Sequence, residues 1–130
     1  MPNHSTRVYD GMLEMLSSEE NPTPMVRLHR VLPSSMQAKF YGKLEWYNPF
    51  GSIKDRVAAN LVQDAHAKGL LKEGQQLVEP TSGNTGMGLA MVANAQGYAL
   101  TTPLSNKIPA EKRTMLKLLG TNVEELDDDL

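Results

Sequence analysis

The run Asn48-Pro49-Phe50-Gly51-Ser52-Ile53-Lys54-Asp55-Arg56 and the run Thr81-Ser82-Gly83-Asn84-Thr85-Gly86 carry the chemistry of this chain. The first places one lysine at the expected start of a helix. The second places small polar residues and glycines where a strand is expected to turn into a helix. An amine that condenses with a carbonyl must be neutral, whereas an exposed lysine titrates at about 10.4. Burial disfavours the ammonium form, and so does the positive end of a helix dipole. A helix starting at Ser52 or Ile53 would put Lys54 in reach of both effects. In the second run, backbone N–H groups at a helix start are unpaired and favour an anion. Gly83 and Gly86 allow close backbone approach, while Thr81, Ser82, Asn84 and Thr85 add side-chain donors. A carboxylate or a phosphate would fit there.

Each run has a plainer reading when taken alone. Lysine is ordinarily a surface residue, and serine and asparagine are favoured helix N-caps with no ligand involved. Other known site patterns are excluded. Gly83, Gly86 and Gly88 stand in the wrong order for a G-x-G-x-x-G dinucleotide loop, and no acidic residue follows about twenty positions later at a strand end. There is no G-x-x-x-x-G-K-[ST] phosphate loop and no G-x-S-x-G nucleophile turn.

The elements that must position these residues follow from periodicity. Val8 to Ser18 reads as a short amphipathic helix with Met12, Leu13 and Leu16 on one face, broken by Pro22 and Pro24. Met25 to Leu28 and Ala38 to Glu45 read as extended. Ile53 to Lys68 reads as a helix whose stripe is Val57, Ala58, Leu61, Val62 and Ala65, stopped by Gly69. Gln76 to Glu79 is a short strand, Asn84 to Gln96 a helix closed by Gly97, and Tyr98 to Thr102 a further strand. Met87 and Met91, four apart on that helix, read as core filler. Pro109 opens a helix that runs to Leu119, and Asn122 to Leu126 starts another strand. Strands alternating with helices are the pattern of βαβ units on a parallel sheet, here with four strands and three covering helices.

Composition narrows the function classes. A length of 130 residues fits one domain, and 40% hydrophobic residues suffice for a modest core. A net charge of −2 gives no strong field toward nucleic acid or an anionic membrane. With no cysteine and with His4, His29 and His66 dispersed, neither a disulfide framework nor a metal site is expected. No run of eighteen apolar residues occurs, and the N-terminus lacks the apolar stretch of a secretory signal, so a cytoplasmic location is expected. The acidic run from Glu124 through Asp129 reads as a solvated tail.

Taken together, the two runs resemble the cysteine synthase family, the fold-type II pyridoxal phosphate enzymes that include cystathionine β-synthase. The resemblance also rests on Asn21-Pro22-Thr23-Pro24-Met25-Val26-Arg27-Leu28, Lys43-Leu44-Glu45, Glu79-Pro80, and Pro109-Ala110-Glu111-Lys112-Arg113 leading to Leu118-Leu119-Gly120. It implies an α/β fold, a parallel sheet with helices on both faces in three αβα layers, incomplete relative to the full family fold. Residues 1–20 would be an N-terminal helix and lead-in, and residues 21–130 the N-terminal part of the enzyme. By the same resemblance Lys54 would hold pyridoxal 5′-phosphate in Schiff-base linkage and shuttle the α-proton. Asn84 would hydrogen-bond the cofactor's 3′-hydroxyl, and Thr81, Ser82, Asn84 and Thr85 would grip the substrate α-carboxylate.

The implied reaction is β-replacement, in which an activated serine loses its β-group and sulfide or a thiol takes its place. O-Acetylserine, O-phosphoserine and serine remain open as donors, and sulfide, a carrier-bound thiol and homocysteine as acceptors. Phe50 stands where the family usually has threonine, and Thr101 to Lys107 diverges from the family pattern. The family's Gly/Thr-rich phosphate loop has no counterpart in the 130 residues, so the chain alone is expected to be inactive. It is expected to work with a homo-oligomeric partner or a complementing C-terminal chain. Two alternatives stay beside this reading: a non-catalytic remnant that binds a small anion or a partner, and a serine/threonine dehydratase-type lyase. The residues Thr81 to Thr85 argue against the dehydratase.

Overall fold

The computed structural model describes residues 8–127. His4, the rest of the N-terminal stretch, and Asp128 and Asp129 of the acidic run lie outside the described residues. Strands β1 (Met25–Arg27) and β2 (Tyr41–Lys43) precede helix α1 (Lys54–Ala67). Then follow β3 (Gln76–Val78), α2 (Asn84–Gln96), β4 (Ala99–Ser105), α3 (Ala110–Leu118) and β5 (Asn122–Leu126). Strands β3, β4 and β5 form a parallel sheet in sequence order, with Val78 opposite Thr101 and Thr101 opposite Asn122. The expected α/β class with a parallel sheet is therefore present.

Helix α2 is the centre of the molecule. It is apolar on nearly every side, and Gly86, Gly88 and all residues from Leu89 to Ala93 are buried. A helix apolar all round must be covered all round. Helix α1 covers it on one side through Ala58 and Val62, and Leu77, Leu100 and Leu71 close the core on others. Met91 is buried as expected of filler, whereas Met87 is only half-buried. Gly97, at φ +76°, ends α2, and the Tyr98 N–H returns to the Ala93 carbonyl at 2.9 Å. In α1, Val57 and Leu61 of the expected stripe are exposed. The seam against α2 is narrow enough that Ala58 and Val62 fill it.

Helices α2 and α3 touch each other, so both lie on one face of the sheet, the face of Leu100 and Leu104. The other face carries a polar row. The Thr101 hydroxyl accepts hydrogen bonds from the Gln76 amide and, at 3.2 Å, from the Asn122 amide. Neither crossover helix reaches that face, so the described residues supply one helical side of the expected three-layer arrangement.

Four further expectations shift. The first two strands pair antiparallel with each other, Val26 opposite Gly42, and form a separate ribbon rather than a fourth strand of the parallel sheet. The stretch expected as a helix from Val8 to Ser18 is a single 3-10 turn at Met12–Met15. There the Asn21 side-chain amide lies 3.3 to 3.4 Å from the Glu14, Met15 and Leu16 carbonyls, which occupies acceptors that a longer helix would use. Strand β4 runs three residues past Thr102, through Pro103. Proline is tolerated because β3 ends opposite Thr101, so its missing N–H faces no strand on that side. Finally, Glu124 and Glu125 belong to β5 rather than to a tail, and Glu125 pairs with Arg113 at 3.2 Å and Lys117 at 3.0 Å of α3.

The tightest joint is at Gly88. A Cβ there would lie 3.1 Å from Ala58 Cβ, 3.2 Å from the Lys54 carbonyl oxygen and 3.3 Å from Asp55 Cα. Gly88→Val is expected to lower the unfolding free energy by about 2 kcal/mol, because overpacking outweighs the helix propensity gained over glycine. The urea midpoint of the variant checks this; an unchanged midpoint would show the helices to be looser than this geometry.

Candidate active site

Lys54 is the first residue of α1, and a folded turn leads into it. The Gly51 N–H donates to the Asn48 carbonyl at 2.8 Å, with Gly51 at φ +74°, a conformation that suits glycine. The Lys54 N–H donates to the Ser52 hydroxyl at 3.1 Å. Helix α1 thus begins at Lys54, one or two residues later than expected. The Lys54 side chain itself is exposed, and no described residue accepts a hydrogen bond or ion pair from its ammonium. The expectation of burial is corrected here: the backbone of Lys54 is packed against α2, but its side chain leaves the seam.

The next two residues anchor the turn. Asp55 is fully buried, and its Oδ2 accepts the Phe50 N–H at 2.7 Å. Desolvation pushes its carboxyl above the usual range, opposed by the Phe50 N–H and by the neighbouring Ser52. Arg56 forks onto Glu45, at 2.9 Å from Nε and 3.3 Å from Nη2, and also donates to the Thr23 hydroxyl at 3.0 Å. Glu45 in turn accepts the side-chain amide of buried Asn48 at 2.8 Å. The Arg56 hydrogen bond, more than any other contact, holds the Glu45 carboxyl below its ordinary value. In the sequence, Asp55, Arg56, Glu45 and Asn48 stand out only as members of the family-matching runs. The signal that could have found them was the pair of oppositely charged residues, Glu45 and Arg56, flanking one turn.

The second run builds the start of α2. Gly83 precedes the helix in an extended conformation, and no side chain caps it. The Thr81 hydroxyl accepts the Gly86 N–H at 3.1 Å. Among the described residues the N–H groups of Ser82, Gly83, Asn84 and Thr85 have no hydrogen-bond partner, so four consecutive donors stay available to an anion. Asn84 is exposed, while Thr81, Ser82 and Thr85 are half-buried. The glycines divide their work differently from expectation. A Cβ at Gly86 would come within 2.9 Å of the Thr81 carbonyl oxygen, so Gly86 serves packing, whereas Gly83 faces open space and leaves the cradle accessible. A cleft of about 150 Å³ borders Ser82, Gly83 and Asn84 and is walled by Met87, Met115, Glu111 and Lys112.

The Gly88 contact brings the two runs together. Asn84 lies one helical turn, about 6 Å, before Gly88, and Gly88 abuts the Lys54 carbonyl. A primary amine and an anion cradle thus start from the same helix joint. No group of three or more histidine, aspartate or glutamate side chains among the described residues could hold a metal. No described helix is long and apolar enough to cross a membrane.

The fold is an α/β domain on a parallel sheet with unpaired amides at a helix start, and comparison with known proteins makes its class specific. Residues 16–130 match the pyridoxal-phosphate dependent enzyme family, and the chain belongs to that family. It is 46% identical over 101 residues to a probable cysteine synthase of Bacillus subtilis, covering 78% of this chain and 32% of that protein. It is 44% identical over 102 residues to a cystathionine beta-synthase of Apis mellifera, covering 78% of this chain and 20% of that protein. The crystal structure of O-acetyl serine sulfhydrylase isoform 3 from Entamoeba histolytica superposes with a TM-score of 0.83 at 35% identity, over 98% of this chain and 37% of that one. The chain therefore spans 20% to 37% of the length of these relatives. The cofactor of the family is pyridoxal phosphate, and the residues present fit it: among the described residues, an unpaired lysine amine, an exposed asparagine amide and four free backbone donors.

The Glu45 anchor has a defined pH signature. Its carboxyl is depressed on folding, so its contribution is full above the ordinary value of 4.5 and is lost as pH falls through the lower folded value. Glu45→Gln is expected to cost up to about 1 kcal/mol at pH 7, given the partial exposure of the pair. It should also flatten part of the acid-side loss of stability. Urea unfolding of both forms between pH 3 and pH 7 would test this, and parallel profiles would count against it.

Proposed function

We propose that residues 21–130 are the N-terminal part of a cysteine synthase-like enzyme catalysing β-replacement on an activated serine, with Lys54 as its catalytic amine. The observation that supports the reading is the joint at Gly88, where the Lys54 backbone carbonyl packs one helical turn from the start of α2, whose preceding amides at 82–85 are unpaired among the described residues. Lys54 would hold pyridoxal phosphate through its amine and move the substrate's α-proton. Thr81, Ser82, Asn84 and Thr85 would orient the substrate by its α-carboxylate, and Asn84 would also donate to the cofactor hydroxyl. When bound, the cofactor supplies an electron sink for charge at the substrate α-carbon.

The isolated chain would not turn over. Lys54 is open to water, so the described residues do not build the closed, water-excluding site that such chemistry uses. Activity would come with a partner chain, a second copy or a complementing C-terminal portion. Exposure of Lys54 favours a second reading, in which the chain binds a small anion at the α2 start and performs no chemistry.

One experiment separates the two. The chain is incubated with pyridoxal phosphate, reduced with borohydride and mapped by peptide mass spectrometry. The enzyme reading expects Lys54 to be labelled at least about tenfold above the other lysines, a difference worth about 1.4 kcal/mol. It also expects Lys54→Ala to lose that label and unmixed chain to show no β-replacement. Uniform labelling of all lysines supports the anion-binding reading, and turnover by the isolated chain would show the inactivity proposal to be wrong.

A further inference from the structure

We infer that Asp55 is a positioning residue for Lys54, acting through its hydrogen bond to the Phe50 backbone. This rests on the reading of Lys54 as the catalytic amine. The carboxyl group has no exposure to solvent, and its Oδ2 takes the Phe50 N–H at 2.7 Å, five residues back along the chain. That bond closes the turn from Asn48 to Ser52 onto the first turn of α1. Lys54 is bound into the same loop through its own N–H to Ser52, and the Asp55 N–H returns to the Ser52 carbonyl at 3.3 Å.

On its other side Asp55 is pressed into the seam with α2, since a Cβ at Gly88 would lie 3.3 Å from Asp55 Cα. Asp55 therefore holds the Lys54 backbone against two elements at once, the turn in front and the helix behind. Its second oxygen, Oδ1, is buried without a partner. A buried acceptor left half-satisfied costs stability, and a carboxylate is a poor choice where packing alone is needed. The position is better explained by the need for an acceptor that reaches the Phe50 N–H. The side chain of Lys54 is exposed and free of other bonds, so only its backbone anchorage defines where the amine starts.

The test uses the full chain and three variants, Asp55→Asn, Asp55→Ala and Asp55→Leu. Asparagine keeps an acceptor for the Phe50 N–H, whereas alanine and leucine remove it, leucine while keeping the volume filled. Two quantities are read: the ratio of borohydride-trapped pyridoxal phosphate on Lys54 to that on all other lysines, and hydrogen-exchange protection of the Phe50 amide. Circular dichroism establishes which variants fold. Asp55→Asn is expected to keep both quantities within about threefold of wild type, and the folded member of the alanine and leucine pair to lose about tenfold in each.

A folded alanine or leucine variant with unchanged Lys54 selectivity would overturn the inference and leave the Lys54 reading intact. So would a folded Asp55→Asn that loses selectivity, a result decisive even if the other two variants fail to fold. A wild-type chain with no preference for Lys54 would overturn the Lys54 reading, and this inference with it.

Discussion

The approach of α1 to α2 at Gly88 is the constraint on which the rest of the structure depends. A glycine inside a helix is costly in conformational entropy, by about 1 kcal/mol relative to alanine. It is retained at 88 because the Lys54 carbonyl, Asp55 and Ala58 occupy the space that any side chain would need. The consequence is geometric. Two stretches far apart in the chain, each a helix start, are fixed within about one helical turn of each other. The apolar surface of α2 holds the contact, since a helix buried on nearly all sides has no freedom to slide away from its neighbours.

Around that joint lies a polar shell in which backbone needs explain the choice of side chains. Asp55 satisfies the Phe50 N–H, Asn48 bonds the Glu45 carbonyl at 2.7 Å, and Arg56 ties Glu45 and Thr23 to α1. The turn before Lys54 is thereby held from three directions. The loop before α2 is treated in the opposite way. Within it the Thr81 amide bonds the Glu79 carbonyl and the Gly86 amide bonds the Thr81 hydroxyl, while among the described residues the four donors between them are left open. One run is closed on itself, and the other leaves its backbone donors open.

The ribbon of β1 and β2 has a different character. Met25, Val26, Phe40 and Tyr41 are all exposed on it, and Trp46 and Tyr47 are exposed just beyond. A two-stranded ribbon is marginal in water by itself. Here it is joined to the remainder through Arg56 of α1, which bonds the Glu45 carboxylate at 2.9 Å and the Thr23 hydroxyl at 3.0 Å. The polar face of the parallel sheet, with its Gln76, Thr101 and Asn122 row, is a second surface that the crossover helices leave uncovered. Both surfaces sit in a chain that spans about a third of the relatives it superposes on.

The sequence by itself determined the alternation of strands and helices from Gln76 onward, with the limits of α2 and β5 as read from periodicity and glycine stops. It also determined the family, through two runs whose residue types are dictated locally by turn and helix-start chemistry. Those features depend on neighbours within a few positions, so they are legible along the chain. Tertiary structure alone decided the rest. It made β1 and β2 an antiparallel ribbon, since strand partners are chosen across tens of residues. It let β4 pass through Pro103 because β3 ends early, and it reduced the N-terminal helix to one turn because Asn21 takes its carbonyls. It also set Lys54 outside the seam and Asp55 within it. Adjacent residues on a helix point about 100° apart, and only the position of α2 determines which of the two is buried.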